Sequence, residues 1–122
     1  MTDEFAMSLR IEKHSIILDL KGDLTKKAEQ SILKSYNWQD GLEGGRRFLV
    51  LNFTEVPYIN STGIALLIRL VRFGKKGNFE TFGYGLQAHY QKLFRMVGLT
   101  EYMLICPSEF NVQQRIEQYL GL

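Results

Sequence analysis

The 122-residue chain predicts an α/β fold, a single-domain sandwich in which a mixed, mostly parallel sheet of about five strands packs against about four helices. Three observations point there. Short β-rich runs alternate with segments of helical periodicity, in the order β β α β α β α β α, which implies right-handed crossovers between parallel strands. The run FLVLNF, Phe48 to Phe53, is unbroken apolar sequence bounded by turn signals, as suits a strand buried on both faces. Two β-rich runs lie close together at the N-terminus and read as a hairpin, which supplies the antiparallel part.

Within SLRIEKHSIILDLKG the hairpin strands centre on Leu9–Ile11 and Ile16–Leu20, joined by the polar Glu12-Lys13-His14. Gly22-Asp23-Leu24-Thr25 ends the second strand, and Thr25 is placed to cap a helix over Lys26 to Trp38, whose apolar side is Ala28, Ile32, Leu33 and Tyr36. GLEGGRR is a loop ahead of the Phe48–Phe53 strand. A helix then runs from Ser61 to about Phe73 and is stopped by Gly74 and Gly77. Asn78–Phe82 is a strand. Gln87–Val97 is helical, with Leu93, Phe94 and Val97 on one side and Gly98 beyond its end. Met103–Cys106 is the last strand, and Pro107-Ser108 opens a final helix with Val112, Ile116 and Tyr119-Leu120 on its apolar side. One domain, 1–122, accounts for the whole pattern, and a chain of this length buries a core without disulfide or metal staples.

Composition removes several function classes. The net charge of +2 comes from interleaved acids and bases, and Lys26-Lys27, Arg46-Arg47 and Lys75-Lys76 are pairs at element ends rather than a phosphate-binding patch, so no nucleic acid is expected as a partner. Cys106 is the only cysteine, which excludes an intrachain disulfide and any CxxC metal or redox motif. MTDEFAMSL has neither a basic nor an apolar leader region, and IALLIRLV is too short to span a bilayer and carries Arg69. A soluble, cytoplasmic protein without membrane insertion is expected. No enzyme is expected either. Ser61 lacks a Gly-x-Ser-x-Gly elbow, His14 and His89 have no catalytic setting, and Asp19 and Asp23 form no evident acid/base pair. FGKKG and FGYGLQ read as turns rather than phosphate loops, and neither a cofactor nor a metal is called for.

The step Asn60-Ser61-Thr62-Gly63 before the longest apolar helix is the feature with chemical content. Asn60 is a favoured helix cap, its side chain able to accept from the free amides of the first turn. A phosphate on Ser61, or on the adjacent Thr62, would sit near the positive end of the helix dipole, where the fold tolerates it. The same phosphate would disrupt an apolar docking surface by repulsion and desolvation. Along the helix, Ile64, Leu67, Ile68 and Val71 form a sheet-facing stripe, and Leu66, Leu70 and Phe73 a second apolar ridge flanked by Arg69 and Arg72. Either a neighbouring helix covers that ridge or it is a partner-binding surface with an arginine rim.

VLNFTEVPYINSTGIALLIRL resembles the signature of STAS domains, the anti-sigma factor antagonist family, in which a strand leads into Asp-Ser-Ser/Thr-Gly and a helix. Gly22-Asp23-Leu24 resembles the family's Gly-Glu/Asp-Leu, and Gln91-Lys92-Leu93-Phe94-Arg95-Met96-Val97-Gly98-Leu99 its late helix. Asn60 stands where the family has an acidic residue, and Thr25 where many relatives have Asp. The resemblance implies a binding role in partner switching. The unphosphorylated form would bind a GHKL-type serine kinase that is also an anti-sigma factor, phosphorylation of Ser61 would release it, and a PP2C-like phosphatase would restore it. The partner-binding residues it implies are Asp23, Ser61, Thr62, Gly63, Leu66, Arg69, Leu70 and Phe73. The alternative is a STAS scaffold subunit of a stress-sensing or transport assembly that is not phosphorylated.

Overall fold

A computed structural model describes residues 4–122, so the first three residues of the MTDEFAMSL segment lie outside the described residues. Five strands form one sheet in the order of the chain: β1 (Ala6–Ile11), β2 (Ser15–Lys21), β3 (Phe48–Glu55), β4 (Glu80–Tyr84) and β5 (Met103–Cys106). β1 and β2 pair antiparallel, and every later pair is parallel. The helices are α1 (Lys26–Ser35), α2 (Ser61–Gly77), α3 (Ala88–Met96) and α4 (Glu109–Leu120). From β2 onward each new strand is added on the same side of the last. Right-handed crossovers that always step in one direction deposit their helices on one face, so α1, α2 and α3 share a face of the sheet. α4 has no strand to return to and folds over the other.

The strand pleat divides the core accordingly. Ile16, Leu18 and Leu20 of β2 and Leu49, Leu51 and Phe53 of β3 point into the larger core with Leu66, Leu67 and Leu70 of α2 and Phe94 of α3. Ile17, Phe48, Val50, Phe82 and Tyr84 point the other way and meet Val112 and Ile116 of α4. Near β1, the smaller face is closed by polar groups. Arg10 donates from Nε to Asp19 Oδ2 at 2.6 Å and from Nη2 to Asp19 Oδ1 at 2.9 Å, and also from Nη2 to Glu109 Oε1 at 2.6 Å. Asn52 donates to the same Asp19 carboxylate at 2.8 Å and the Tyr84 hydroxyl to Glu109 at 2.9 Å. The edge strand is thereby tied to the first turn of α4.

Several expected boundaries move for identifiable reasons. α1 ends at Ser35 rather than Trp38, because the backbone is already extended at Tyr36. Trp38 belongs to a 3-10 turn, Trp38–Asp40, and its indole donates to the Ile32 carbonyl at 3.0 Å, satisfying an acceptor of the last turn of α1. Thr25 occupies the cap position of α1 but makes no side-chain cap hydrogen bond. α2 runs through Gly74 and FGKKG, which is helix and not a turn, and stops at Asn78 in the left-handed conformation (φ 58°). Gly74 is tolerated inside the helix because a Cβ there would overlap the Phe79 carbonyl oxygen, so the close approach of chain to helix requires glycine. β4 therefore begins at Glu80. GLEGGRR holds a short 3-10 turn, Glu43–Gly45, within the expected loop.

Candidate functional site at the start of helix α2

The site begins with a backbone bridge. Leu24, just past β2, pairs in parallel with Ile59, with Leu24 N donating to Tyr58 O at 2.8 Å and Asn60 N to Leu24 O at 3.3 Å. This lays the Gly22–Thr25 segment against the Tyr58–Asn60 segment and brings Asp23, half-buried, to the same end of the molecule as Ser61. Gly63 makes the approach possible, because a Cβ there would overlap the Leu24 carbonyl oxygen. From beneath, the buried Tyr90 of α3 holds the loop by accepting from Ile59 N at 2.9 Å through its hydroxyl.

Asn60 is extended (φ −97°, ψ −175°), and its side-chain Oδ1 accepts from Gly63 N at 3.0 Å. The amide thus satisfies one free donor of the first turn, and α2 is anchored where the dipole is positive. Ser61 is exposed and Thr62 half-buried. Among the described residues no hydrogen bond engages the Ser61 hydroxyl. Tyr58, 50% exposed, is the one large apolar side chain of this loop that stands in solvent. Tyr58 is absent from the sequence-based expectations, and its only sequence signal is an aromatic two residues before the Asn60 cap. An open depression of about 410 Å³ lies alongside, bordered by Glu4, Lys21, Glu55 and Gln87.

Further along α2 the expected surface needs correction. Leu66 and Leu70 are wholly buried, with 0% exposure, and form the centre of the core-facing side with Gly63, Leu67, Val71 and Gly74. They are not on the surface, and Gly63 is likewise closed off by Leu24. Ile64 and Ile68, expected at the centre of the sheet-facing stripe, are only half-buried at its margin. The apolar residues of α2 span about half its circumference, so hydrophobicity alone does not locate the middle of the buried arc. The glycines do: Gly63 and Gly74 fall within roughly 20° of each other on the helical wheel and mark where the backbone must come closest. What covers the second ridge is α1 together with the Trp38 turn, both packed on α2. Arg69 is exposed and Phe73 half-buried, with the guanidinium 6.0 Å from the ring centroid, so these two do lie outward. The residues gathered at one surface are therefore Asp23, Tyr58, Ser61 and Thr62, with Arg69 and Phe73 two to three turns along the helix.

Among the described residues no helix is long and apolar enough to cross a membrane. Residues 6–112 match the family model described as STAS domain. The fold is similar to that of the anti-sigma factor antagonist SpoIIAA in its unphosphorylated form (TM-score 0.73, 19% identity, 96% of this chain and 98% of that one). It is similar also to the Bacillus cell fate determinant SpoIIAA in the phosphorylated form (TM-score 0.70, 20% identity, 91% and 99%). A sulfate transporter family protein from Wolinella succinogenes matches less extensively (TM-score 0.64, 15% identity, 77% and 79%).

Proposed function

The chain belongs to the STAS domain family, and from that premise we propose that it is a regulatory binding module of the anti-sigma factor antagonist kind, switched by phosphorylation of Ser61. In this reading the unphosphorylated protein binds a serine kinase of GHKL type that also serves as the anti-sigma factor. Phosphate on Ser61 releases it, and a PP2C-like phosphatase resets the module. The observation that carries the proposal is the exposed, unengaged Ser61 hydroxyl on a first turn whose cap is already supplied by Asn60. Phosphate there adds close to two negative charges without removing anything the fold uses.

The docking surface consists of Asp23, Tyr58, Ser61 and Thr62, with Arg69 and Phe73 at its margin. Tyr58 takes the place of Leu66 and Leu70 as the apolar anchor, in keeping with the weight that exposed aromatics carry in interfaces. A phosphoserine beside Tyr58 would have to be desolvated against the partner. A loss of about 3 kcal/mol weakens binding on the order of a hundredfold, enough for a switch.

A second reading, a constitutive subunit of a transport or stress-sensing assembly, takes its support from the likeness to the sulfate transporter family protein. Incubation with the kinase and ATP, followed by intact-mass and peptide analysis, separates the two. The switch requires phosphate on Ser61, none in Ser61→Ala, and kinase binding weakened about a hundredfold in Ser61→Asp. An unmodified Ser61, with Ser61→Asp binding as tightly as the parent, establishes the constitutive reading instead.

A further inference from the structure

The far end of α2 differs from its start in both charge and shape. The helix carries Arg69, Arg72, Lys75 and Lys76 and no acidic residue. All four are exposed, and among the described residues none has an ion-pair partner. Beside its last turns a groove of about 370 Å³ opens between α2 and the segment that follows α3. Its floor is apolar, formed by Ile68, Val71 and Leu99. On its rim Val97 and Tyr102 are 47% and 52% exposed, opposite Arg72 and Lys75. The Lys75 ammonium lies 4.9 Å from the Tyr102 ring centroid and closes one side. Beyond that pair a second hollow holds Glu80 and Glu101 together with Arg47, so the unbalanced positive charge is on the Arg72 side.

We propose that this groove is a second docking site, for a protein segment that inserts one aliphatic or aromatic side chain flanked by carboxylates. Charge complementarity selects the flanks, because unpaired cations bordering an apolar floor favour a ligand with negative charge on either side of a hydrophobic anchor. Concavity selects a peptide over a lipid surface. The volume lies near the lower end of the range for binding pockets and accepts a single side chain. The groove's cations, Arg72 and Lys75, lie eleven and fourteen residues along α2 from Ser61, about 16 and 21 Å at 1.5 Å per residue. Both distances are about two Debye lengths or more at physiological salt, so charge on Ser61 is largely screened from them. The site does not rest on phosphorylation of Ser61, and it lets the module hold one protein while exchanging another on a different side of α2.

Two short synthetic peptides test the site by two-dimensional NMR: one with a central Phe flanked by Glu, the other identical but with Lys replacing Glu. The acidic peptide should shift the amides of Ile68–Lys75 and Val97–Tyr102 saturably, and added salt should weaken it. Arg72→Glu combined with Lys75→Glu should weaken it about tenfold or more, while Ser61→Asp leaves it within about twofold. Val97→Asn, an uncharged change on the exposed apolar rim, should weaken it without touching the cations, and thermal melting confirms that each variant is folded. Absence of a saturable shift, equal response to the Lys peptide, or shifts centred on Tyr58–Gly63 overturns the proposal. So does binding to phosphatidylserine vesicles without binding to the acidic peptide, which would make the face a membrane contact.

Discussion

One face of the sheet lies beneath three helices and the other beneath one, and the two are held by different means. The larger core is apolar and continuous: Leu18, Leu49, Leu51, Leu66 and Phe94 are each at 0% exposure, and close backbone approaches at Gly63 and Gly74 leave α2 no slack. The smaller face has a single helix on β3 to β5 and relies on the Arg10 network where that helix does not reach. A fork of charge-assisted hydrogen bonds there does what a further helix would otherwise do, tying the edge strand, the sheet and the first turn of α4 together. A one-helix layer is thus kept in place by polar geometry as well as by buried area.

The largest expected effect contrasts the two cores directly. Leu66→Ala opens a cavity among elements that cannot close on it and should cost about 4–5 kcal/mol, the top of the range for such truncations. Ile116→Ala removes as many carbons from the smaller core, where α4 is free to settle inward, and should cost about 2–3 kcal/mol. Equal losses in urea unfolding would show that the two faces are equally rigid and break the comparison.

Next in size is Arg10→Leu, with a loss of about 1–2 kcal/mol, discounted because the guanidinium and Glu109 are partly exposed. Hydrogen exchange of the α4 amides should accelerate more than that of α2, since the variant frees the helix that has the fewest other anchors. The same network sets an acid limb. The hydrogen bond from Arg10, ahead of all other causes, holds the Asp19 carboxyl below its ordinary value, and it does the same for Glu109 with further help from Tyr84. Tyr84 is itself pushed up to about 12, chiefly by burial and then by its bond to Glu109. Folded carboxylates with lowered pKa contribute stability that is complete above the unfolded values of about 4 and is lost as pH falls through the folded ones. Stability from this network should therefore be flat from pH 7 to about 5 and decline below about 4. The gap between the parent and Arg10→Leu should narrow progressively as pH falls below about 4, and a gap that stays constant from pH 7 down into the acid would remove the network as its cause.

The smallest effect falls on the surface that neither core needs. Ser61→Asp should change the unfolding free energy by less than about 1 kcal/mol, with the sign favouring the fold because the new charge sits at the positive end of α2. A larger loss in thermal melting would place Ser61 in the structure after all, and a binding defect in that variant would no longer report on a switch.

Much of this molecule is readable from local pattern. The unbroken FLVLNF run, the hairpin across Glu12-Lys13-His14 and the cap at Asn60 all depend on residues within a few positions of one another, and the structure has each of them. The reading failed where distant residues decide. Leu66 and Leu70 pass for a surface ridge until α1 and the Trp38 turn are laid over them. Gly74 looks like a helix stop until Phe79 is seen crossing it. Nothing near Arg10 in sequence announces Glu109, ninety-nine positions away.

By itself, then, the sequence determined the order of strands and helices, that the first pair is antiparallel and the rest parallel, and that α2 starts at a capped turn. Periodicity, turn chemistry and capping are near-neighbour interactions, and they are written wherever the residues stand. Only the tertiary structure decided that the strands add in one direction, so that three helices share a face, and that α2 buries the glycine-marked half of its apolar arc. The charged groups of β1, β2 and α4 likewise meet at one corner only in the folded chain. These outcomes rest on which surfaces come within contact of each other, and no local pattern carries that.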